Sequence, residues 1–289
     1  MDIGCHGLVW TGSFEAPGIR LAAQKTKEAG FDLIEYPLMD PFSFDTKAAV
    51  SALDEYGLKA SASLGLSEGT DVSSSDAQIV AAGEELLMRA VDVLADIGGT
   101  YLTGVISSAM SKYMEPATEV GLQNSKRAIG RVADHAAERG VNLGLEVVNR
   151  YETNILNTAR QAMRFIEEVE RPNLSMHLDT YHMNIEESDM VSPVLDAGDV
   201  LRYVHIGESH RGYLGTGSVD FDNFFKALGR VSYDGPITFE SFSSAVVAPD
   251  LSRSLGIWRN LWSDSAALGA HANRFIRDRL EAVETIALH

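Results

Sequence analysis

The chain has one cysteine, Cys5, in 289 residues, so no intrachain disulfide forms and the thiol content suits a reducing compartment. It has no run of 18 consecutive apolar residues, which removes a membrane-spanning helix from the expected fold. Its first residues, MDIGCHGL, lack the basic and long apolar regions of a signal peptide, and a soluble cytoplasmic protein is expected. Positive charge is scarce: 24 Lys and Arg stand against 41 Asp and Glu, a formal net charge of −17, and Lys and Arg nowhere form a run. Such a surface repels nucleic-acid phosphates and anionic membranes, which favours small neutral substrates as partners. No repeat, low-complexity tract or linker interrupts the sequence, so one domain over residues 1–289 is expected. GGTYLTG at 98–104 is not a dinucleotide fingerprint, because its glycines do not open a helix with G-x-G-x-x-G spacing, and no nucleotide cofactor is expected.

What is present is 45% hydrophobic residues, enough for a large core, and four stretches with one pattern. In LSMHLDTYHMN (174–184), Leu174, Met176 and Leu178 alternate with Ser175, His177 and Asp179, the period of a strand with one apolar and one polar face. A parallel strand buried under helices reads instead as a near-continuous apolar run, so a polar face ending in a carboxylate points to a site at the strand's C-terminal end. LGLEVVNRYE (143–152), YVHIGESHR (203–211) and PITFESF (236–242) repeat the pattern and place Glu146, His205 and Glu240 where the first has Asp179. The four residues are 33, 26 and 35 positions apart, close to the roughly 30 residues per strand-plus-helix unit of a (β/α)8 TIM barrel. Successive strands of such a barrel bring all four to one mouth.

Earlier in the chain, strands are expected at Ile3–Val9, 31–37, 58–66 and 98–106, with helices over about Pro17–Ala29, Asp45–Tyr56, 77–97 and Glu119–Arg139. Gly30, Gly57 and Gly140 mark helix ends, and Asp76 and Asp220 suit helix caps. Further helices are expected at Thr158–Val169, between Glu186 and Ala197, and at Phe221–Leu228. The segment from Pro249 to Leu288 exceeds what one barrel helix needs. Trp258, Leu261 and Trp262 recur there at helical spacing before a final helix of Ala266–Ala287, which reads as core packing first and as a subunit contact or active-site lid second. Eight strands alternating with helices give an α/β fold, one TIM barrel with an extended C-terminal helical segment.

Glu146, Asp179, His205 and Glu240 form a mixed nitrogen and oxygen set suited to one divalent cation such as Mn²⁺, Mg²⁺ or Co²⁺. A six-coordinate ion so held keeps two positions for vicinal oxygens of a hydroxy-ketone, which acidifies the carbon-bound proton between them and stabilises an enediolate. Any one of these side chains alone is more readily explained as a buried polar partner. His177 lies one layer below Asp179 and is expected as a supporting or core histidine. Glu35 ends its strand as the ligands do and reads first as packing of its loop. Cys5 reads as a small core residue. His135, His271 and His289 read as solvated, and His210 has no assignment.

The strings GLEVVNRYE, HLDTYHMN, VHIGESHRG and TFESF, with IGCHGLVW at the start, resemble the ketose 3-epimerases, a group that includes D-tagatose, D-allulose (D-psicose) and L-ribulose 3-epimerases within the xylose isomerase-like barrels. The resemblance implies a metal, usually Mn²⁺, on Glu146, Asp179, His205 and Glu240. It implies that Glu146 and Glu240 are also the acid/base pair on opposite faces of the sugar, since epimerisation needs one group to remove the C3 proton and another to return it from the other side. It implies that Glu152, His182 and Arg211 bind the O1 to O3 end of the substrate, and that His6, Trp10, Leu66, Tyr113 and Phe242 line an apolar pocket for its far end. Many relatives carry tryptophan where Tyr113 stands and an aromatic where His6 stands, so the preferred ketose among D-allulose, D-tagatose and L-ribulose is open. The family also suggests a homo-oligomer, dimer or tetramer. An aldose-ketose isomerase or an inosose dehydratase on the same barrel is the competing reading.

Overall fold

The computed structural model describes residues 1–286; the expected end of the last helix at Ala287, and His289, lie outside the described residues. Eight parallel strands close into one barrel in sequence order. They are β1 (Ile3–His6), β2 (Leu33–Pro37), β3 (Lys59–Leu66), β4 (Tyr101–Ala109), β5 (Asn142–Val147), β6 (Leu174–Asp179), β7 (Leu201–Ile206) and β8 (Ile237–Phe239). The helices are α1 (Ala16–Glu28), α2 (Thr46–Tyr56), α3 (Ala77–Asp96), α4 (Glu119–Glu138), α5 (Ala159–Val169), α6 (Thr180–Glu186), α7 (Ser192–Ala197), α8 (Phe221–Arg230), α9 (Pro249–Ser254) and α10 (Ser265–Ile286). None of them is long and apolar enough to cross a membrane.

Local chemistry sets most boundaries. Asp45 accepts from the Ala48 amide to start α2, Asp76 from Gln78 to start α3, and Asp220 from Asn223 to start α8. Thr158 and Gln161 form a reciprocal capping box on α5. Gly57 ends α2 with φ +60°, a left-handed geometry that glycine adopts without a Cβ penalty. Strand β4 starts later than the expected position 98 because the Gly98 and Gly99 amides bond back to Ala95 and Leu94 carbonyls, closing α3.

Two expectations are corrected. The helix foreseen between Glu186 and Ala197 is observed only over α7, and a further helix that was not foreseen, α6, precedes it directly after β6. Asp179 caps α6 by accepting from the Tyr181 amide, and Pro193, which cannot donate inside a helix, opens α7. Trp258, Leu261 and Trp262 do not lie on a helix, since Gly256 at φ +64° ends the chain's helical path beyond α9. Only Trp262 joins the core; Trp258 is 76% exposed and Leu261 39%.

The outward faces of the strands, with Leu174, Met176 and Leu178 on β6, are buried beneath the helices. Inside the barrel the filling is polar and aromatic. Tyr101 and Tyr203 stack with centroids 4.8 Å apart, and the Tyr101 hydroxyl lies 2.5 Å from that of Ser175. The Tyr203 hydroxyl lies 2.6 Å from Ser61 Oγ and 2.8 Å from Thr238 Oγ1. This hydrogen-bonded layer is the floor on which the site stands.

Candidate active site

Register brings the polar strand ends together. Asp179 pairs with His205 across β6 and β7, Glu146 pairs with His177 across β5 and β6, and Glu240 directly follows β8. Glu146, Asp179, His205 and Glu240 are all buried, at the C-terminal mouth where barrel loops converge. Ligand atoms of Asp179, His205 and Glu240 lie within 4.8 Å of one another, as do those of Glu146, Asp179 and His182 and those of Glu146, His177 and His205.

The orientation of His205 separates these groupings. Its Nε2–H donates to Glu35 Oε2 at 2.8 Å. Its Nδ1 then faces Glu240 Oε1 at 3.5 Å and Glu146 Oε1 at 3.8 Å, with no hydrogen-bond partner although buried. An orphaned buried nitrogen aimed at carboxylates is what a metal ligand presents, and an imidazole whose other nitrogen donates to a carboxylate is the usual supporting arrangement. The donor set therefore fits a divalent cation. Burial lowers the His205 pKa, but Glu35, Glu240 and Glu146 outweigh it and raise the value to about 10.

Glu35 thus does more than pack its loop. It is fully buried, accepts also from the Tyr203 hydroxyl at 2.7 Å, and lies 3.6 Å from His6 Nε2. Burial pushes its carboxyl up, yet His205 and His6 hold it well below the usual range. His177 sits beneath His205, ring centroids 4.1 Å apart, with Nδ1 2.7 Å from Thr103 Oγ1. That hydroxyl also reaches the Gly144 carbonyl at 3.0 Å.

The two glutamates differ in environment. Burial raises the Glu146 carboxyl well above its ordinary value, and Glu240 and Asp179 add to this against the opposing pull of His205. Burial acts likewise on Glu240, but Arg211, His205 and His6 together hold it low. The Arg211 guanidinium donates to Glu240 Oε2 at 2.6 Å and Asp179 Oδ2 at 3.0 Å. It lies 3.8 Å from the Tyr181 ring centroid and 5.1 Å from that of Phe242. Gly207 leaves it room, since a Cβ there would come within 2.9 Å of the guanidinium nitrogen.

His182 Nδ1 accepts from the Asn149 backbone amide at 3.1 Å and lies 2.9 Å from its side-chain Nδ2, so its proton is on Nε2. That Nε2 faces Asp179 Oδ2 at 3.7 Å and Glu146 Oε1 at 3.8 Å. Burial lowers its pKa to about 3, which keeps the ring neutral at physiological pH. Asn149 Nδ2 also donates to Glu152 Oε1 at 2.8 Å. Sequence reasoning missed Asn149; its position three residues before Glu152, just beyond a polar-faced strand, is the available signal.

Of the apolar pocket candidates, His6 and Phe242 reach the cluster, their rings 5.8 Å apart and His6 3.9 Å from Glu240. Trp10, Leu66 and Tyr113 lie at the same end of the barrel but are held by other neighbours. Trp10 packs on Gly269 of α10, where a Cβ would sit 2.3 Å from its ring, and Leu66 ends β3 buried. The Tyr113 hydroxyl donates to Asp71 Oδ2 at 2.6 Å, and burial with Asp71 pushes its pKa up to about 12.

Residues 23–268 match the family model described as "Xylose isomerase-like TIM barrel". A ketose 3-epimerase of Arthrobacter globiformis is 73% identical over 289 residues, the full length of both chains. An L-ribulose 3-epimerase of Methylomonas sp. (strain DH-1) is 55% identical, covering 96% of this chain and 98% of its own. The chain belongs to the ketose 3-epimerases of this barrel family. A crystal structure of a Methylomonas sp. D-allulose 3-epimerase in complex with D-allulose superposes with TM-score 0.95 at 55% identity, covering 96% of this chain and 97% of that one. This ketose 3-epimerase is therefore a carbohydrate epimerase with a buried Glu, Asp and His group able to hold a metal ion.

Proposed function

We propose that the enzyme epimerises free ketoses at C3, interconverting D-fructose and D-allulose and handling L-ribulose or D-tagatose pairs by the same route. The observation that carries this is the unpartnered, buried Nδ1 of His205 facing Glu146 and Glu240 at 3.8 and 3.5 Å beside a third carboxylate, Asp179. Glu146, Asp179, His205 and Glu240 would hold the divalent cation, Mn²⁺ on this reading. Bound there, it supplies Lewis-acid polarisation of the sugar's carbonyl and neighbouring hydroxyl oxygens.

The chain's own residues do the rest. Glu146 and Glu240 act as the two proton carriers, one taking the C3 proton and the other returning it to the opposite face, with roles that exchange with reaction direction. Their contrasting environments support this, because Arg211 favours the ionised form of Glu240 while burial and neighbouring carboxylates favour a proton on Glu146. Neutral His182 donates through Nε2–H to substrate oxygen, and Arg211 and Glu152 grip the O1 to O3 end. His6 and Phe242 flank the sugar, with Trp10, Leu66 and Tyr113 behind them at the rim. The same reading takes the chain as one domain, placed in the cytoplasm as a dimer or tetramer, and the buried free thiol of Cys5 suits that compartment.

The test is one assay: strip metal with a chelator, restore Mn²⁺, supply D-fructose and separate the sugars. D-allulose appearing only after metal is restored is expected. Glucose or mannose as product would replace the epimerase reading by an isomerase, and no conversion of any free ketose would refute it.

A further inference from the structure

Arg211 is one of three non-glycine residues with positive φ among the described residues, at +59°. A left-handed arginine requires anchoring on both sides of its Cα. Its amide donates to the Glu208 carbonyl at 2.8 Å. Its carbonyl accepts from Ser241 Oγ at 2.5 Å. Ser241 is fully buried and its single hydroxyl proton is committed to Arg211, so it is free to accept. The indole Nε1–H of Trp262, which can only donate, meets it at 2.8 Å. The direction of the chain is therefore forced, from Trp262 to Ser241 to the backbone of Arg211. Trp262 is held in turn, with Ser243 Oγ 3.4 Å from its carbonyl and bonded to Asn260 Oδ1 at 2.9 Å.

We propose that Trp262 is a positioning residue for Arg211, acting through the Ser241 hydroxyl, and that this is what the segment between α9 and α10 contributes to the active site. The relay fixes the peptide from which the guanidinium reaches Asp179 and Glu240 between Tyr181 and Phe242. The proposal rests on the reading of Arg211 as a substrate-binding group. Ser241 lies between Glu240 and Phe242 in sequence, so Trp262 is the first place at which to cut the relay. Trp262 is 21 residues away, and Trp262→Phe removes the N–H together with part of a buried ring, so the loss of packing has to be separated from the loss of the hydrogen bond by comparing backgrounds.

The experiment is a double-mutant cycle on the Mn²⁺-loaded enzyme with D-fructose, comparing wild type, W262F, R211A and W262F/R211A. W262F is expected to lower kcat/KM about tenfold, a displacement effect on a positioned group. In the R211A background it is expected to lower kcat/KM by less than about twofold, because the relay then has nothing to position. Loss by the same factor in both backgrounds is the signature of a packing role and would overturn the relay alone. Wild-type kcat/KM in R211A would overturn the substrate reading of Arg211 and the relay with it. If W262F does not fold, S241A and S241T replace it in the cycle: loss with Ala and recovery with Thr, in the Arg211 background only, is expected. Equal activity of S241A and wild type would overturn the proposal.

Discussion

Removing the Glu35 carboxylate tests whether the metal site depends on a residue that does not itself ligate. His205 has two nitrogens, and Glu35 decides which one faces the three carboxylates by accepting from Nε2–H at 2.8 Å. In Glu35→Leu that N–H is buried without a partner, which costs about 1–3 kcal/mol. The Tyr203 hydroxyl loses one neighbour but keeps Ser61 and Thr238. Turning the ring or moving the proton relieves the unpaired N–H and takes the Nδ1 lone pair away from the metal. Losses of about 10- to 100-fold in metal affinity follow removal of such supporting groups. That range corresponds to about 1.4–2.7 kcal/mol, within the cost of the orphaned donor. Glu35→Gln keeps an acceptor for Nε2–H while deleting the charge, so its loss is expected to be smaller. The assay is titration calorimetry of Mn²⁺ into chelator-stripped protein, with circular dichroism to establish the fold. Kd for folded Glu35→Leu within threefold of wild type would refute the orienting role.

The remaining predictions concern the acid/base pair, proton release and Asn149. Glu146→Gln and Glu240→Gln are each expected to lower kcat by about 10²–10⁴-fold with circular dichroism unchanged, since each removes one of two proton carriers; a wild-type rate in both would sink the assignment. Metal-free His205, with its pKa near 10, carries a proton at pH 7 that the metal must displace. Below that value affinity therefore falls as pH falls, by about tenfold per unit for one proton. Glu146, also raised, adds to the release. Calorimetry in two buffers of different ionisation enthalpy measures the protons released, and a flat affinity from pH 8 to 5 contradicts the ligand set. Asn149→Ala frees Glu152 and leaves His182 Nδ1 with the backbone amide of residue 149 alone, and is expected to cost about tenfold in kcat/KM, or about 1.4 kcal/mol; an unchanged value would remove the Asn149 side chain from the site.

The clustering of Glu146, Asp179, His205 and Glu240 at one mouth was legible because a period of two survives in each of their strands, and each polar face ends in a ligand-type side chain. A barrel strand's inward residues are set by its own alternation, so Glu146, Asp179, His205 and Glu240 announce themselves locally. Glu35 announces itself equally, but its meaning lies in His205, 170 residues later, and no local pattern names that partner. Asn149 is hidden for the same reason, with one bond at three residues' distance and another 33 residues on. Helix α6 was hidden because Asp179 serves both as a strand-end carboxylate and as a helix cap. Reading it as one obscures the other. The C-terminal tryptophans misled because helical spacing says nothing once a left-handed glycine has ended the helix.

The polar barrel interior follows from the same logic. Most barrels of this kind fill their centre with branched apolar layers. Here Tyr203 stands directly under Glu35, stacked on Tyr101 and bonded to Ser61 and Thr238. A buried carboxylate left without donors and positive neighbours would take up a proton and cease to orient His205. His205 and His6 hold Glu35 ionised while Tyr203 donates to it, Glu35 keeps Nδ1 of His205 directed at the neighbouring carboxylates, and on the other side Trp262 and Ser241 keep Arg211 against Asp179 and Glu240. The site is thus supported from the floor by strand residues and from the rim by the C-terminal segment. A volume-conserving apolar change at Ser61 or Thr238 removes a neighbour of the Tyr203 hydroxyl and is expected to raise the Mn²⁺ Kd in titration calorimetry while leaving Glu146, Asp179, His205 and Glu240 in place; an unchanged Kd would remove that layer from the support of Glu35.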